Sequence, residues 1–388
     1  MTTETHPTSN PVDNTKYTHT LVKALRKHVD RLAGTIPPAS TEYTDHARRT
    51  RIAGAWVYLS AVTAWAEDHG LINVWLRDGL KGMPGWYMPN PTPSVALLQA
   101  MAGLTVHPAT QWLMHPRYNP DLHAGTPSDA AIQDLVDWWA GDAPSLAYEV
   151  IDGPPSISGW IIGDLLQAVT DDRRKEHALA QTPWWVADFI LDRTMVPACV
   201  AFRADRLIRT VDPTAGTGHF MVRAMDYLWE WYTTGTLRPR QAKAGLVATG
   251  GIVSAPGDAL TRVVASVDGV ELDPLTAAVA RLRCTVYAAH LAQRGGLTTG
   301  PIRLDTIPRN LIPRIGVADS LLLGKTSKQV YDDHHPQLAD LPGESFTQSG
   351  WDWAATEHTE PAQPTNPMPA TSPVVIQHQQ LDLFGEAA

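Results

Sequence analysis

The segment Val211-Asp212-Pro213-Thr214-Ala215-Gly216-Thr217-Gly218-His219-Phe220 carries a glycine-rich turn directly after an acid. It begins at the end of a short β-branched segment, residues 207–212, and leads into an amphipathic segment, residues 219–231. A strand that ends in an acid, followed by a glycine turn and a helix, is typical of a nucleotide-type cofactor site, because glycine lets the backbone approach a ligand where a Cβ would clash. The carboxylate of Asp212 favours a cationic or amino-bearing ligand, since a pyrophosphate would require bare N–H groups.

The order of strand, acid and helix is then repeated. Residues 263–272 are predicted to form a second strand with Glu271 near its end, and residues 274–292 a second helix. An acid at this position usually binds ribose hydroxyls, whereas Glu271 taken by itself would be a solvated acid at a strand end. The separation of Glu271 from Gly218 is 53 residues (271 minus 218), which exceeds the ~20 of a minimal unit.

A polar insertion and a third strand complete this part of the chain. The insertion, residues 232–254, accounts for the long separation and includes a predicted short helix at residues 240–248. The segment 314–323 predicts a third strand that ends near Asp319. After Gly324 the periodicity is lost and Pro, Gln, His, Thr and Asp dominate, which predicts a flexible tail.

The first half of the chain has a different pattern. Apolar residues recur at helical spacing in residues 45–69 and 128–140, where Ser128 is a plausible N-cap. Ten of the fourteen tryptophans lie between Trp56 and Trp185. Aromatic enrichment is compatible with base stacking, but a helical core filled by large side chains is the favoured interpretation.

Composition narrows the class of protein. The 388 residues are 44% hydrophobic and 18% charged, as expected for a soluble protein of two domains. Cys199 and Cys284 lie in apolar surroundings at no metal-like spacing, and the polar N-terminus lacks the apolar core of a signal peptide, so a reduced, cytoplasmic protein is expected. The net charge of -9 argues weakly against nucleic acid, although one basic face is enough.

Three motifs together resemble a known family. The glycine loop is similar to the cofactor loop of adenine-N6 DNA methyltransferases of the restriction-modification type, which use S-adenosylmethionine (SAM). Residues 269–283, GVELDPLTAAVARLR, resemble the second motif of that family. Residues 181–191, QTPWWVADFIL, resemble the segment placed before the loop, although Gln181 replaces the Gly-aromatic pair often found there. The resemblance covers residues 158–324 and implies a Rossmann-like SAM-binding domain.

The resemblance also implies roles for individual residues. A Thr-Pro pair would line the methionine end of SAM, the loop would cradle its amino-acid part with an aromatic packed beneath, and the second motif would bind ribose and adenine. The Thr-Pro pair is Thr182 and Pro183. The loop residues are Asp212, Pro213, Gly216 and Gly218, and the aromatic beneath them is Phe220. In the second motif, Glu271 would bind ribose and Leu272 would lie against adenine. Asp319 is either the acceptor for the adenine amino group or an ordinary acid at a strand end.

One motif of the family is missing. Its catalytic Asn or Asp, followed by two prolines and an aromatic, accepts hydrogen bonds from the target amino group and stacks on the flipped base. Asn366-Pro367-Met368 lacks the second proline and the aromatic, and Asp152-Gly153-Pro154-Pro155 precedes the loop. The later strands of the sheet are missing as well. A second chain completes the site, an unrecognised element replaces the motif, or the chain is not a catalyst.

The tail carries a further motif. Gln380-Leu381-Asp382-Leu383-Phe384 resembles the peptide with which bacterial DNA polymerases and repair proteins bind the sliding clamp. One polar anchor followed by three large apolar residues on a flexible tether suits an apolar groove. Such residues are rare in disordered tails that have no binding role, so docking is favoured over a stray apolar patch.

These observations predict an α/β protein with four parts. They are a disordered start (residues 1–16), a helical domain (17–157), a truncated SAM-binding domain (158–324) and a tail with a clamp peptide (325–388, with the peptide at 380–384). Two functions stay open: a DNA adenine-N6 methyltransferase or subunit of one, and a non-catalytic SAM-binding homologue that docks on the clamp and regulates modification or restriction. The expected partners are DNA, the sliding clamp and a second chain that completes the site.

Overall fold

The computed structural model describes residues 14–39, 44–83, 91–148, 153–169, 182–241, 245–322, 328–336 and 338. Up to residue 169 the described residues form helices and short 3-10 turns without a strand. The α-helices of this half are α1 (Asn14–Thr35), α2 (Thr44–Asp68), α3 (Pro93–Ala102), α4 (Pro120–His123), α5 (Asp129–Gly141) and α6 (Trp160–Val169).

Helix α2 is the centre of the helical half. Its residues 52–67 are all buried, so the other helices surround it on every side. Trp56 and Trp65 are buried on it, and the Trp139 indole donates to the Ser60 hydroxyl at 2.8 Å. The core interpretation of the tryptophans is therefore confirmed for these residues, whereas Trp185 is exposed.

The second half contains the sheet. Its elements are α7 (Trp184–Ala201), β1 (Thr210–Asp212), α8 (His219–Thr234), β2 (Thr236–Leu237), β3 (Ala248–Thr249), α9 (Pro256–Ser266), β4 (Val267–Glu271), α10 (Pro274–Arg294), β5 (Arg314–Val317) and α11 (Lys328–His334). Three strands form a parallel sheet in the order β1-β4-β5, and β2 and β3 form an antiparallel pair. The prediction of a mixed α/β protein is confirmed, and the sheet is small. Buried residues of both halves form one contiguous core.

Two predictions differ from the structure: the start of the second strand and the short helix within the insertion. Residues 263–266 end helix α9 instead of starting the strand, because Val263 and Leu260 bury the same helical face and tertiary packing overrides the β propensity of valine. In the predicted helix at 240–248, the described residues 240, 241 and 245–248 are not helical, and Ala248 pairs with Leu237 in a strand. The N–H groups of residues 240 and 241 instead donate to the Asp192 carboxylate, each at 2.8 Å.

The predicted tail does not start at residue 325. Helix α11 lies inside that range, and the side chains of Tyr331 and Leu338 are buried. The Tyr331 hydroxyl accepts a hydrogen bond from the Asp319 N–H at 2.7 Å, which ties α11 to the end of β5. The clamp-peptide residues 380–384 lie outside the described residues. Among the helices that are described, none combines the length and apolar character required to cross a membrane.

Candidate cofactor site

Three acids lie at the carboxyl ends of the three parallel strands. Asp212 ends β1, Glu271 ends β4, and Asp319 follows β5 by two residues. The Ala215 N–H donates to the Val270 carbonyl at 2.9 Å, which folds the glycine loop back over the end of β4. The structure therefore brings Asp212, the loop and Glu271 together at the edge of the sheet where open α/β proteins bind ligands.

The two predicted loop glycines have different physical roles. Gly216 and Gly218 have φ values of +55° and +84°, a left-handed conformation that favours glycine. A Cβ on Gly218 would lie 3.2 Å from the Cys284 sulfur and 3.3 Å from the Ala280 Cβ, so this glycine allows the loop to pack on α10. A Cβ on Gly216 would meet no atom closer than 4.0 Å. The open side of Gly216 is therefore where a ligand can approach the backbone.

Asp212 carries an unsatisfied buried oxygen. Its Oδ1 accepts from the Thr214 N–H at 3.1 Å, whereas Oδ2 is buried and has no hydrogen-bond partner among the described residues. Burial raises the pKa of the Asp212 carboxyl above its ordinary value. A buried carboxylate without a partner is costly, and an ammonium group would satisfy it. This buried acceptor fits the ammonium group at the amino-acid end of SAM.

Glu271 anchors the loop as well as ending the strand. Its two carboxylate oxygens accept from the Gly216 N–H at 2.8 Å and from the Asp273 N–H at 3.0 Å. Burial raises the pKa of the Glu271 carboxyl. Each carboxylate oxygen accepts more than one hydrogen bond. Glu271 can therefore take a ribose hydroxyl while it keeps the loop in place.

Arg283 contacts the glycine loop, although no motif in the sequence singles it out. It is fully buried on α10, and burial lowers the pKa of its guanidinium to about 10. One terminal nitrogen donates to the carbonyl and the hydroxyl of Thr217 at 2.7 and 3.0 Å, and Nε donates to the Ser158 carbonyl at 3.0 Å. It thus joins the glycine loop to the helical half. The sequence feature that could have identified Arg283 is its charge within the largely apolar segment that forms α10.

The Thr-Pro segment lies one aromatic layer from the loop. Pro183 is the N-cap of α7, and Trp184 lines a small cavity together with Trp160. The Trp160 ring stacks on the His219 ring with centroids 3.9 Å apart, and His219 is the first residue of α8. Burial lowers the pKa of His219 well below its usual range, so this ring is neutral at pH 7.

The structure locates the remaining predicted residues, but their contacts do not by themselves identify a ligand. Leu272 and Phe220 are half-buried and pack against the core, and Phe220 with Pro213 lines a groove beside β1. Asp319 already has partners on both oxygens: Oδ1 accepts from the Leu321 N–H at 2.8 Å, and Oδ2 lies 2.9 Å from the His335 ring. An adenine amino group would have to share Asp319 with these partners.

Replacing Asp212 with asparagine is expected to stabilise the ligand-free protein at pH 7. A carboxyl whose pKa is raised in the folded state costs stability above that pKa, and the cost disappears below the ordinary value of about 4. We expect the Tm of Asp212→Asn to exceed that of the wild type by roughly 1–3 °C at pH 7, with the difference shrinking toward pH 4. Thermal denaturation between pH 4 and 8 measures this, with the exposed Asp205→Asn as control. A lower Tm at pH 7 for Asp212→Asn would contradict the assignment of a desolvated carboxylate.

Comparison with known proteins identifies a relative. No protein-family model matches the sequence. The adenine-specific methyltransferase PglX of Streptomyces coelicolor (strain ATCC BAA-471 / A3(2) / M145) is 31% identical over 316 residues, which is 76% of this chain and 24% of PglX. The chain thus spans about a quarter of the length of this relative.

Two solved structures show weaker likeness. The Type IIL restriction-modification enzyme MmeI in complex with DNA has a TM-score of 0.38 and 14% identity, over 81% of this chain and 42% of that one. A nuclease-deletion mutant of the Type ISP restriction-modification enzyme LlaGI, in complex with a DNA substrate mimic, has a TM-score of 0.35 and 12% identity, over 88% and 22%. Such scores do not establish a shared fold. The sequence match to an adenine-specific methyltransferase agrees with the resemblance that the three motifs carry.

Proposed function

We propose that this chain is the SAM-binding part of a DNA adenine-N6 methyltransferase. The observation that carries the proposal is the unsatisfied Oδ2 of Asp212, buried at the end of β1 beside the glycine loop and Glu271. A cationic ligand with a ribose satisfies both acids. The match to an adenine-specific methyltransferase supports adenine as the target base. The three motifs that resemble adenine-N6 DNA methyltransferases support DNA as the substrate.

The residues around the loop would divide the binding of SAM between them. Asp212 would hold the ammonium group, with Pro213, Gly216 and Gly218 shaping the backbone around it. Glu271 would hold the ribose. When bound, SAM supplies an electrophilic methyl group. The remaining contacts would come from Thr182 and Pro183 at the methionine end, Leu272 and Asp319 at adenine, and Phe220 beneath the loop.

The described residues that follow β5 do not contain the family's motif for holding the target base. Among residues 319–322, 328–336 and 338 there is no acid or amide followed by two prolines and an aromatic. Without acceptors for the target amino group, the chain alone is expected to transfer methyl groups weakly or not at all. This absence also favours the second candidate, a non-catalytic SAM-binding homologue that regulates DNA modification or restriction.

Two measurements on the purified chain test the proposal. Calorimetry should show SAM binding, and the absence of binding at millimolar SAM would refute the cofactor assignment. Labelled SAM with mixed-sequence DNA should give little methylated adenine with the chain alone and more when a cell extract is added. Robust methylation by the pure chain would show that it carries its own base-holding element.

The C-terminal motif adds a proposed partner. We infer that Gln380, Leu381, Asp382, Leu383 and Phe384, which lie outside the described residues, bind the sliding clamp as an extended peptide. Because large apolar side chains dominate such grooves, replacing Leu383 and Phe384 with alanine should abolish clamp binding and leave SAM affinity unchanged. A peptide of the last twelve residues, titrated against the clamp, measures this. Equal binding of the wild-type and double-alanine peptides would exclude docking.

A further inference from the structure

The segment that contains α11 holds the acid after β5 at two points. The Asp319 N–H donates to the Tyr331 hydroxyl at 2.7 Å, and Oδ2 of Asp319 lies 2.9 Å from Nε2 of the His335 ring. A carboxylate accepts hydrogen bonds and does not donate them, so Nε2 of His335 is the donor. One short segment that comes later in the chain therefore fixes both the backbone and the side chain of Asp319.

The two contacts come from positions one helical turn apart. The His335 N–H donates to the Tyr331 carbonyl at 2.9 Å, and the centroids of the two rings lie 5.2 Å apart. Tyr331 and Leu338 are buried, so the segment is packed against the body of the protein. The side chains of His335 and Asp319 are only 15% and 17% exposed. The hydrogen bond between them is therefore shielded from most of the solvent, where a bond to a charged acceptor is strong.

The carboxylate of Asp319 has room for one more donor. A carboxylate offers about four positions for hydrogen-bond donors, two on each oxygen. Oδ1 accepts from the Leu321 N–H at 2.8 Å and from the Leu322 N–H at 3.3 Å, whereas Oδ2 accepts from His335. Among the contacts of the described residues, this leaves one position on Oδ2, beside the one that His335 fills. An exocyclic amino group has the donor that this position lacks.

Asp319 lies one strand away from the acid proposed for ribose. Glu271 pairs with Val317 in the parallel ladder of β4 and β5, and the Ala318 N–H donates to the Glu271 carbonyl at 2.9 Å. Asp319 is the next residue in the chain, so both acids lie at the carboxyl edge of the sheet. In the proposed function, on which this inference rests, Glu271 holds the ribose of SAM and Asp319 meets the adenine amino group.

We propose that His335 is a positioning residue for the recognition of adenine in SAM. By donating to Oδ2, the His335 ring keeps the Asp319 carboxylate turned so that its remaining acceptor position meets the adenine amino group. A carboxylate without this bond is held through Oδ1 alone, and its Oδ2 accepts from water or turns away from the ligand. His335 therefore acts on the base through Asp319 and sets the preference for a nucleoside whose base carries an exocyclic amino group.

Two ligands that differ in one group separate positioning from a merely structural role. S-adenosylhomocysteine carries the adenine amino group, and its purine analogue carries hydrogen in that place. Isothermal calorimetry on the full chain gives the affinity for each, and the wild type should prefer S-adenosylhomocysteine. His335→Ala should weaken binding of S-adenosylhomocysteine roughly threefold to tenfold, the net worth of one hydrogen bond, and leave the affinity for the purine analogue within about twofold of the wild type.

Three matched variants accompany His335→Ala. His335→Gln places an amide nitrogen near the position of Nε2, so it should restore most of the preference for S-adenosylhomocysteine. His334→Ala removes the neighbouring exposed histidine, whose ring contacts the Val330 carbonyl of its own helix, and it should behave as the wild type. When Asp319→Ala has already removed the carboxylate, adding His335→Ala should change neither affinity further, because the histidine acts through Asp319.

Several outcomes would overturn the proposal. If His335→Ala weakens both ligands equally, the histidine contributes packing and not orientation. If His335→Ala binds S-adenosylhomocysteine more tightly than the wild type, the histidine occupies the place of the adenine amino group. Equal affinity of the wild type for the two ligands would remove Asp319 as the adenine acceptor and leave the SAM assignment intact. Binding of neither ligand at millimolar concentration would refute the proposed function, and this inference with it.

Discussion

Replacing Arg283 with methionine is expected to lower the free energy of unfolding by about 3 kcal/mol. The change removes the hydrogen bonds that Arg283 donates to the buried carbonyls of Thr217 and Ser158, at a cost of roughly 1–3 kcal/mol each. Part of this loss is offset, because the variant no longer buries a charged guanidinium. Urea denaturation followed by far-UV circular dichroism measures the effect.

The control for Arg283 is an arginine on the surface. Arg193→Met on α7 removes an exposed side chain that contacts Phe189, and it should change the unfolding free energy by less than about 0.5 kcal/mol. Arg283→Met should also weaken SAM binding by the folded protein, because Arg283 fixes the loop through Thr217. An unfolding free energy equal to that of the wild type would mean that the two carbonyls find other donors and that Arg283 does not fasten the loop.

Replacing Glu271 with alanine is expected to weaken SAM binding by about 1.5–3 kcal/mol, which is roughly 10- to 150-fold. The variant loses the charged acceptor for the ribose hydroxyls. It also releases the Gly216 N–H, which donates to the Glu271 carboxylate at 2.8 Å. The loop would then have to be ordered by the ligand itself. Isothermal calorimetry with SAM measures the change.

Two further variants separate the roles of Glu271. Glu271→Gln keeps one oxygen for the Gly216 N–H and loses the charge, so its SAM affinity should fall between those of the wild type and Glu271→Ala. Glu230→Ala removes a carboxylate three turns along α8 and should bind SAM as the wild type does. Binding by Glu271→Ala within twofold of the wild type would restrict Glu271 to anchoring the loop.

The carboxyl edge of the sheet shows how much of the candidate site could be predicted from the sequence. The acid–glycine turn and the helix after it were predicted almost to the residue, because each depends on neighbours a few positions away. Asp319 was found as an acid after the third strand, but its partners Tyr331 and His335 lie in a segment predicted as tail. A tyrosine in a polar stretch carries no local sign that it will be buried.

Three features could be predicted from the sequence: the acids at the ends of β1 and β4, the glycine loop between them and the helical character of the first half. Each of these follows from local periodicity and turn chemistry. The contacts of Arg283 with the loop and the helical half emerge only in the folded chain, since its partners are 66 and 125 residues away. Tertiary packing also makes residues 263–266 helical, and among the described residues it pairs β1 with a strand on one side only. Long-range packing sets these features, because a residue's partners across the core leave no periodic trace in its own segment.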